Sequence, residues 1–113
     1  MYVRIVTFAL AGITGDDYQR HAAAVAETFT TWPGLLGKVW LGDRDRNRYG
    51  GVYLFATRAD ADRSRSTPLF AGLAANPAFA DLVIEEYETL PEATAVTWPG
   101  LRAPSEPAPA AAG

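Results

Sequence analysis

The chain has 113 residues, enough for one domain able to bury roughly two thirds of its unfolded surface. It has no cysteine, which excludes disulfides, thiolate metal sites and a cysteine nucleophile. Its net charge is −3, and its ten Lys and Arg residues are scattered rather than gathered into the basic stripe that nucleic acid demands.

Tyr2 to Leu10 alternates β-branched and aromatic side chains and predicts a first strand, broken by Ala11-Gly12-Ile13. Met1 leads straight into this run, without the basic start and small-residue cleavage site of a signal peptide. No apolar run approaches the ~20 residues that span a bilayer. The expectation is a soluble, cytoplasmic protein that binds neither membrane nor nucleic acid.

Thr14 is a helix N-cap, with Asp17 three residues on as a variant of the capping box. Asp16 and Asp17 also lie where the helix dipole favours negative charge. The predicted helix runs to about Thr31. Its stripe of Tyr18, Ala22, Val25, Phe29 and Trp32 keeps one face at a 3.6-residue period. Trp32-Pro33-Gly34 ends it, because the residue before proline is pushed out of the α region.

Gly34 to Thr57 reads as a β-hairpin around the polar tip Gly42 to Arg48. Its arms are apolar on both faces. In the first, Leu35, Val39 and Leu41 point one way, and Leu36, Lys38 and Trp40 the other. In the second, Val52, Leu54 and Ala56 oppose Tyr53 and Phe55. A half-solvated strand would alternate apolar with polar, so this sheet is expected to be covered on both sides.

Thr57 caps a second, polar helix, with Asp60 at its third position, and Thr67-Pro68 interrupts it to start a new helical piece. Asn76-Pro77 restarts a short turn. Leu82 to Leu90 reads as strand four, with Val83, Tyr87 and Thr89 on one face and Ile84, Glu86 and Glu88 on the other; Ala95 to Trp98 is read as a short fifth strand. The division is a domain over residues 1–98 and a Pro/Ala-rich tail over 99–113, expected to be disordered.

The order β-α-β-β-α-β is an α+β, ferredoxin-like arrangement: a four-stranded antiparallel sheet with both helices on one face. The other face is then bare and apolar. Monomers rarely expose apolar patches above a few hundred Å², so a homodimer, sheet against sheet, is expected.

At Gly34-Leu35-Leu36-Gly37-Lys38-Val39-Trp40 followed by Gly50-Gly51-Val52-Tyr53-Leu54-Phe55, the sequence resembles the monooxygenase branch of the dimeric α+β barrel superfamily, related to the antibiotic-biosynthesis monooxygenases. The resemblance covers about residues 2 to 90, with the hairpin its specific part. It implies a homodimeric barrel with a pocket in each subunit between helices and sheet. It also implies, for some relatives, oxidation of polycyclic phenols by molecular oxygen without metal or flavin; others degrade haem or bind small molecules. The phenol-oxidising relatives place Asn and Trp on the strand after the hairpin and Tyr on helix two, where this chain has Gly51, Phe55 and Ala61. The late His of the haem-degrading relatives is missing. The alignment turns Gly51, Tyr53 and Phe55 toward the pocket, and strand pairing puts Lys38 and Trp40 on the same side.

Among residues able to carry chemistry, His21 is the single histidine. It lies one position off the helix-one stripe, and is either a base or phenol-orienting group or a flank histidine. Alone it makes no metal site. Tyr53 and Trp40 are core packing or a stacking wall for a flat ligand. Lys38 either snorkels to an edge or marks a polar point in a cavity. Arg4 is expected to pair across strands with Glu86 or Glu88.

The reading is a cofactor-independent monooxygenase acting on a small aromatic or polycyclic substrate. His21, Lys38 and Tyr53 stabilise the substrate anion, Trp40, Phe55, Phe29 and Trp32 hold it, and no metal or cofactor is required. The alternative is a dimer of the same fold that binds a small apolar ligand without turnover.

Overall fold

The alternation of Tyr2 to Leu10 places strand β1 (Tyr2–Leu10) at the centre of a four-stranded antiparallel sheet ordered β2-β3-β1-β4. β2 (Leu35–Asp43) and β3 (Arg48–Phe55) form the hairpin, and β4 (Phe79–Glu88) flanks β1 on the far side. Helices α1 (Gly15–Phe29), α2 (Arg58–Ser64) and α3 (Pro68–Ala75) fill the connections, and α4 (Pro91–Thr97) follows β4. The computed structural model describes residues 1–100, so the expected tail lies outside the described residues from 101 onward.

The caps read from the sequence are in place. Thr14 accepts from the Asp17 amide while the Asp17 carboxylate accepts from the Thr14 amide, closing the capping box of α1. Thr57 accepts from the Asp60 amide at α2, and Thr67 from the Phe70 amide at α3, with Pro68 in the first turn.

Tyr2, Arg4, Val6 and Phe8 are the buried side of β1. They meet Phe55, Tyr53, Gly51 and Tyr49 of β3 in register, and this face carries the core. Phe8 packs edge-on against Tyr18 of α1, with ring centroids 5.5 Å apart. Arg4 is wholly buried among the helices: its guanidinium donates to the Ala61 carbonyl at 2.7 Å, to Ser64 Oγ at 2.8 Å and to the Glu86 carboxylate at 2.6 Å. The expected Arg4–Glu86 pair is thus present. Its burial is matched because each of the three guanidinium nitrogens finds an acceptor.

Among the described residues, no helix packs on the opposite face of the sheet. It presents Val3, Ile5, Val52, Leu54, Val39, Val83 and Tyr87, of which Val39, Val83 and Tyr87 are exposed.

Three local expectations are corrected. In β2, Leu35 pairs with Phe55 and Gly37 with Leu54, so Leu36 bulges out of the ladder. The bulge resets the alternation, and Leu35 packs on the core side instead of sharing a face with Val39 and Leu41. In β4, which begins at Phe79 rather than Leu82, the register skips from Thr7↔Val83 to Ala9↔Ala80, with Asp81 at φ 54°. That extra residue keeps both Phe79 and Ile84 on the helix side. Ala95 to Trp98 forms no strand: Pro91 opens α4 across this segment, since proline suits a first helical turn and its missing N–H spoils a ladder.

Candidate functional site

A cavity of about 240 Å³ opens between the hairpin, α1 and α3. The α1 stripe supplies Tyr18, Val25 and Phe29, with His21 beside it; β2 supplies Lys38 and Trp40; β3 supplies Tyr53. α3 closes the far side with Leu69 and Leu73, and the β4 bulge brings in Phe79, stacked on Phe8 at 4.4 Å. The walls are aromatic and aliphatic, with few polar groups, as small-molecule sites commonly are.

Lys38 is the cation of this cavity. Its Nζ lies 3.3 Å from the ring centre of Trp40, 3.6 Å from that of Phe29 and 4.5 Å from that of Tyr53. Among the described residues it makes no ion pair or hydrogen bond, and no carboxylate lines the cavity. Burial strips water from the ammonium and lowers its pKa to about 7. The three ring faces attract the cation and oppose that drop. Gly51 makes the placement possible, because a Cβ there would sit 2.6 Å from Lys38 Cε. Lys38 is half-buried, with its amine laid against these ring faces.

Tyr53 and Tyr18 are buried phenols. Burial, with Tyr18 nearby, pushes Tyr53 far above the ordinary phenol range, and burial pushes Tyr18 up to about 12. Both remain protonated at neutral pH and act only as neutral hydrogen-bond partners. His21 is exposed at the rim, its ring 6.0 Å from Phe79 and 6.4 Å from Tyr18.

Of the seven residues picked from the sequence, His21, Lys38, Tyr53, Trp40 and Phe29 line the cavity. Phe55 and Trp32 do not. Phe55 has no exposed surface and sits under the Arg4 guanidinium, 5.0 Å from its ring centre. Trp32 stacks behind Tyr53 at 6.0 Å and stiffens the wall. Tyr18, Leu73 and Phe79 were missed as lining residues, since Tyr18 read as core and Phe79 needs a bulge that hydropathy does not announce. A plainer signal was present: Lys38 is the only lysine in the chain, every other basic side chain being an Arg or the one His. No group of three or more His, Cys, Asp or Glu residues that could hold a metal occurs among the described residues.

Tyr18 and Trp40 also face a second, shallower hollow of about 350 Å³, rimmed by Arg44, which pairs with Asp16 at 2.6 Å. No helix among the described residues is long and apolar enough to cross a membrane.

The family model for the putative mono-oxygenase ydhR matches residues 4–99. A comparison with curated proteins finds no match. Several solved structures share the fold. The haem-degrader MhuD from Mycobacterium tuberculosis, with two haems bound in its active site, is 22% identical with a TM-score of 0.65, over 80% of this chain and 96% of that one. A variant of SnoaB, a cofactor-independent oxygenase from Streptomyces nogalater, is 21% identical with a TM-score of 0.62, again over 80% and 96%. An antibiotic biosynthesis monooxygenase is 17% identical with a TM-score of 0.65, over 80% of this chain and all of that one.

Proposed function

The chain belongs to the ydhR mono-oxygenase family, and from that premise we propose that it oxidises a flat, acidic aromatic molecule with molecular oxygen and no cofactor, in the cavity around Lys38. The observation that carries the reading is a lysine amine among three aromatic rings that, among the described residues, has neither an ion-pair partner nor a carboxylate in its cavity. An amine with a pKa of about 7 can take a proton from a phenol or its keto tautomer at neutral pH. The ammonium it becomes then stabilises the substrate anion it has made.

The electrons come from that anion. In an anthrone-type substrate, a ring CH₂ and O₂ become a ring C=O and water, so the substrate supplies all the electrons that oxygen accepts. Trp40 and Phe29 present ring surface to the flat substrate, and Tyr53 offers a neutral phenol to its oxygen. Leu69 and Leu73 keep water from the intermediate. His21, at the rim, is assigned to orienting the entering ring. SnoaB, which shares the fold, is a cofactor-independent oxygenase, and the donor set here suits the same style of reaction.

The bare face of the sheet supports a homodimer. Covering Val39, Val83 and Tyr87 against a second copy removes an apolar patch that water would otherwise face.

Oxygen consumption with an anthrone-type phenol tests the proposal. Uptake by the natural chain that falls about 10²-fold or more in Lys38→Met supports it. Ligand binding in the cavity without oxygen uptake replaces it with the non-catalytic alternative.

A further inference from the structure

The single lysine invites a chemistry beyond proton transfer. We infer that Lys38 captures flat aromatic aldehydes or ketones covalently, as an imine on its Nζ.

Four features meet at this atom. It carries the only side-chain primary amine of the chain, so no other lysine competes. It lines a cavity of about 240 Å³ that a small ring system can enter. It has no carboxylate or hydrogen-bond acceptor among the described residues to hold it as the ammonium. And Gly51 leaves the space in which its Cε lies. Desolvation in an apolar pocket is one recognised way of making a lysine nucleophilic, and burial here moves the amine into the range where a sizeable fraction is neutral at pH 7. The rings of Trp40, Phe29 and Tyr53 around Nζ favour an aryl group on the incoming carbonyl. Among the described residues, the other titratable groups facing the cavity are Tyr18, Tyr53 and His21, and burial keeps both phenols protonated at neutral pH.

The step balances without a redox partner. The Nζ lone pair attacks the carbonyl carbon to give a carbinolamine. The carbonyl oxygen then leaves as water with the two amine hydrogens, and a C=N bond replaces C=O. A protonated phenol at Tyr53 lies on the same wall to donate to the departing oxygen.

The inference shares the cavity with the oxygenase reading but does not depend on it. The test uses the full chain with 2-naphthaldehyde and cyanoborohydride, without oxygen, followed by mass spectrometry and peptide mapping to separate Lys38 from the Met1 α-amine. The expected result is labelling of Lys38 at pH 7.5 about tenfold faster or more in the folded chain than in urea, because unfolding returns the amine to an ordinary lysine pKa near 10.4. The rate should saturate with 2-naphthaldehyde but not with propanal, which has no ring. Gly51→Ala should pull the folded rate toward the unfolded one, and Lys38→Arg should leave only the α-amine labelled. Equal Lys38 rates in folded and unfolded chain, or labelling confined to Met1, overturns the inference. Oxygen uptake without trapping overturns this inference alone, whereas trapping without oxygen uptake overturns only the oxygenase reading.

Discussion

Lys38 and Gly51 face each other diagonally across the β2–β3 ladder, and the lysine's Cε fills the volume a side chain at Gly51 would take. The neighbouring glycine plays a different part. Gly50 has φ 150°, and a Cβ on it would lie 1.8 Å from the Val6 carbonyl oxygen. One glycine seats a flexible side chain; the other lets two backbones meet.

The two alanine substitutions should therefore behave oppositely. Gly51→Ala clashes chiefly with the far end of a lysine, the nearest backbone atom being the Val39 carbonyl oxygen at 3.3 Å, so stability should change by about 1 kcal/mol while oxygen uptake falls roughly tenfold. Gly50→Ala meets backbone and a disfavoured φ, and should cost about 2 kcal/mol or more in urea unfolding. Similar stabilities for the two variants would contradict this assignment.

Lys38 should leave a mark on stability as a function of pH. Its folded pKa, about 7, lies below the ordinary lysine value of 10.5. Between those values the unfolded chain binds more protons than the folded one, so stability rises with pH there. Below pH 7 both states carry the charge, and the burial penalty is fully present. Lys38→Met should be more stable than the natural chain at pH 6, and the gap should narrow by pH 10. Urea midpoints across that range measure it; parallel curves would show that the amine keeps its solution pKa.

Arg4 gives the reverse case, a charge whose burial is matched. Burial raises the Glu86 pKa, but hydrogen bonds from Arg4 and Arg65 outweigh it and hold the carboxyl below the ordinary carboxylate value. That contribution is present above the ordinary value and lost as pH falls through the lowered one. Arg4→Met should destabilise by about 3 kcal/mol: Arg65 still holds Glu86 and the Ser64 hydroxyl still donates to the Ala61 carbonyl, but that carbonyl and the Ser64 oxygen each lose the guanidinium's hydrogen bond. The acid limb of the stability curve should also flatten. Unfolding in urea at pH 7 and pH 4 reads both effects.

The bare sheet face makes a prediction about assembly. Val39→Glu and Val83→Glu add charge where a second copy is proposed to sit. Each should shift sedimentation from a dimer toward a 12.1 kDa monomer with little change in secondary structure. A natural chain that sediments as a monomer at micromolar concentration would remove the dimer.

The order of elements was legible because its signals are local. Thr14, Thr57 and Thr67 announce helix starts, and the polar turn formers from Gly42 to Arg48 between two apolar arms announce the hairpin. The bulges at Leu36 and Asp81 were not legible, since one extra residue in a strand changes facing without changing composition. Val96, Thr97 and Trp98 are strand formers and outvoted Pro91, although proline in the first turn was the better guide. At the site, strand parity put Lys38, Trp40 and Tyr53 together correctly. It could not supply Leu73 or Phe79, whose places depend on how α3 and the bulged strand pack. Nor could it separate Phe55, sealed under Arg4, from Tyr53, which shares its face.

The indole of Trp40, 3.3 Å from the lysine nitrogen, gives the cavity a built-in optical reporter. A change of charge at that distance alters the electric field on the chromophore, so tryptophan emission should titrate with a midpoint near neutrality and respond whenever a guest displaces solvent from the ring. The occupancy of this chamber can then be followed by fluorescence in a sample carrying no dye.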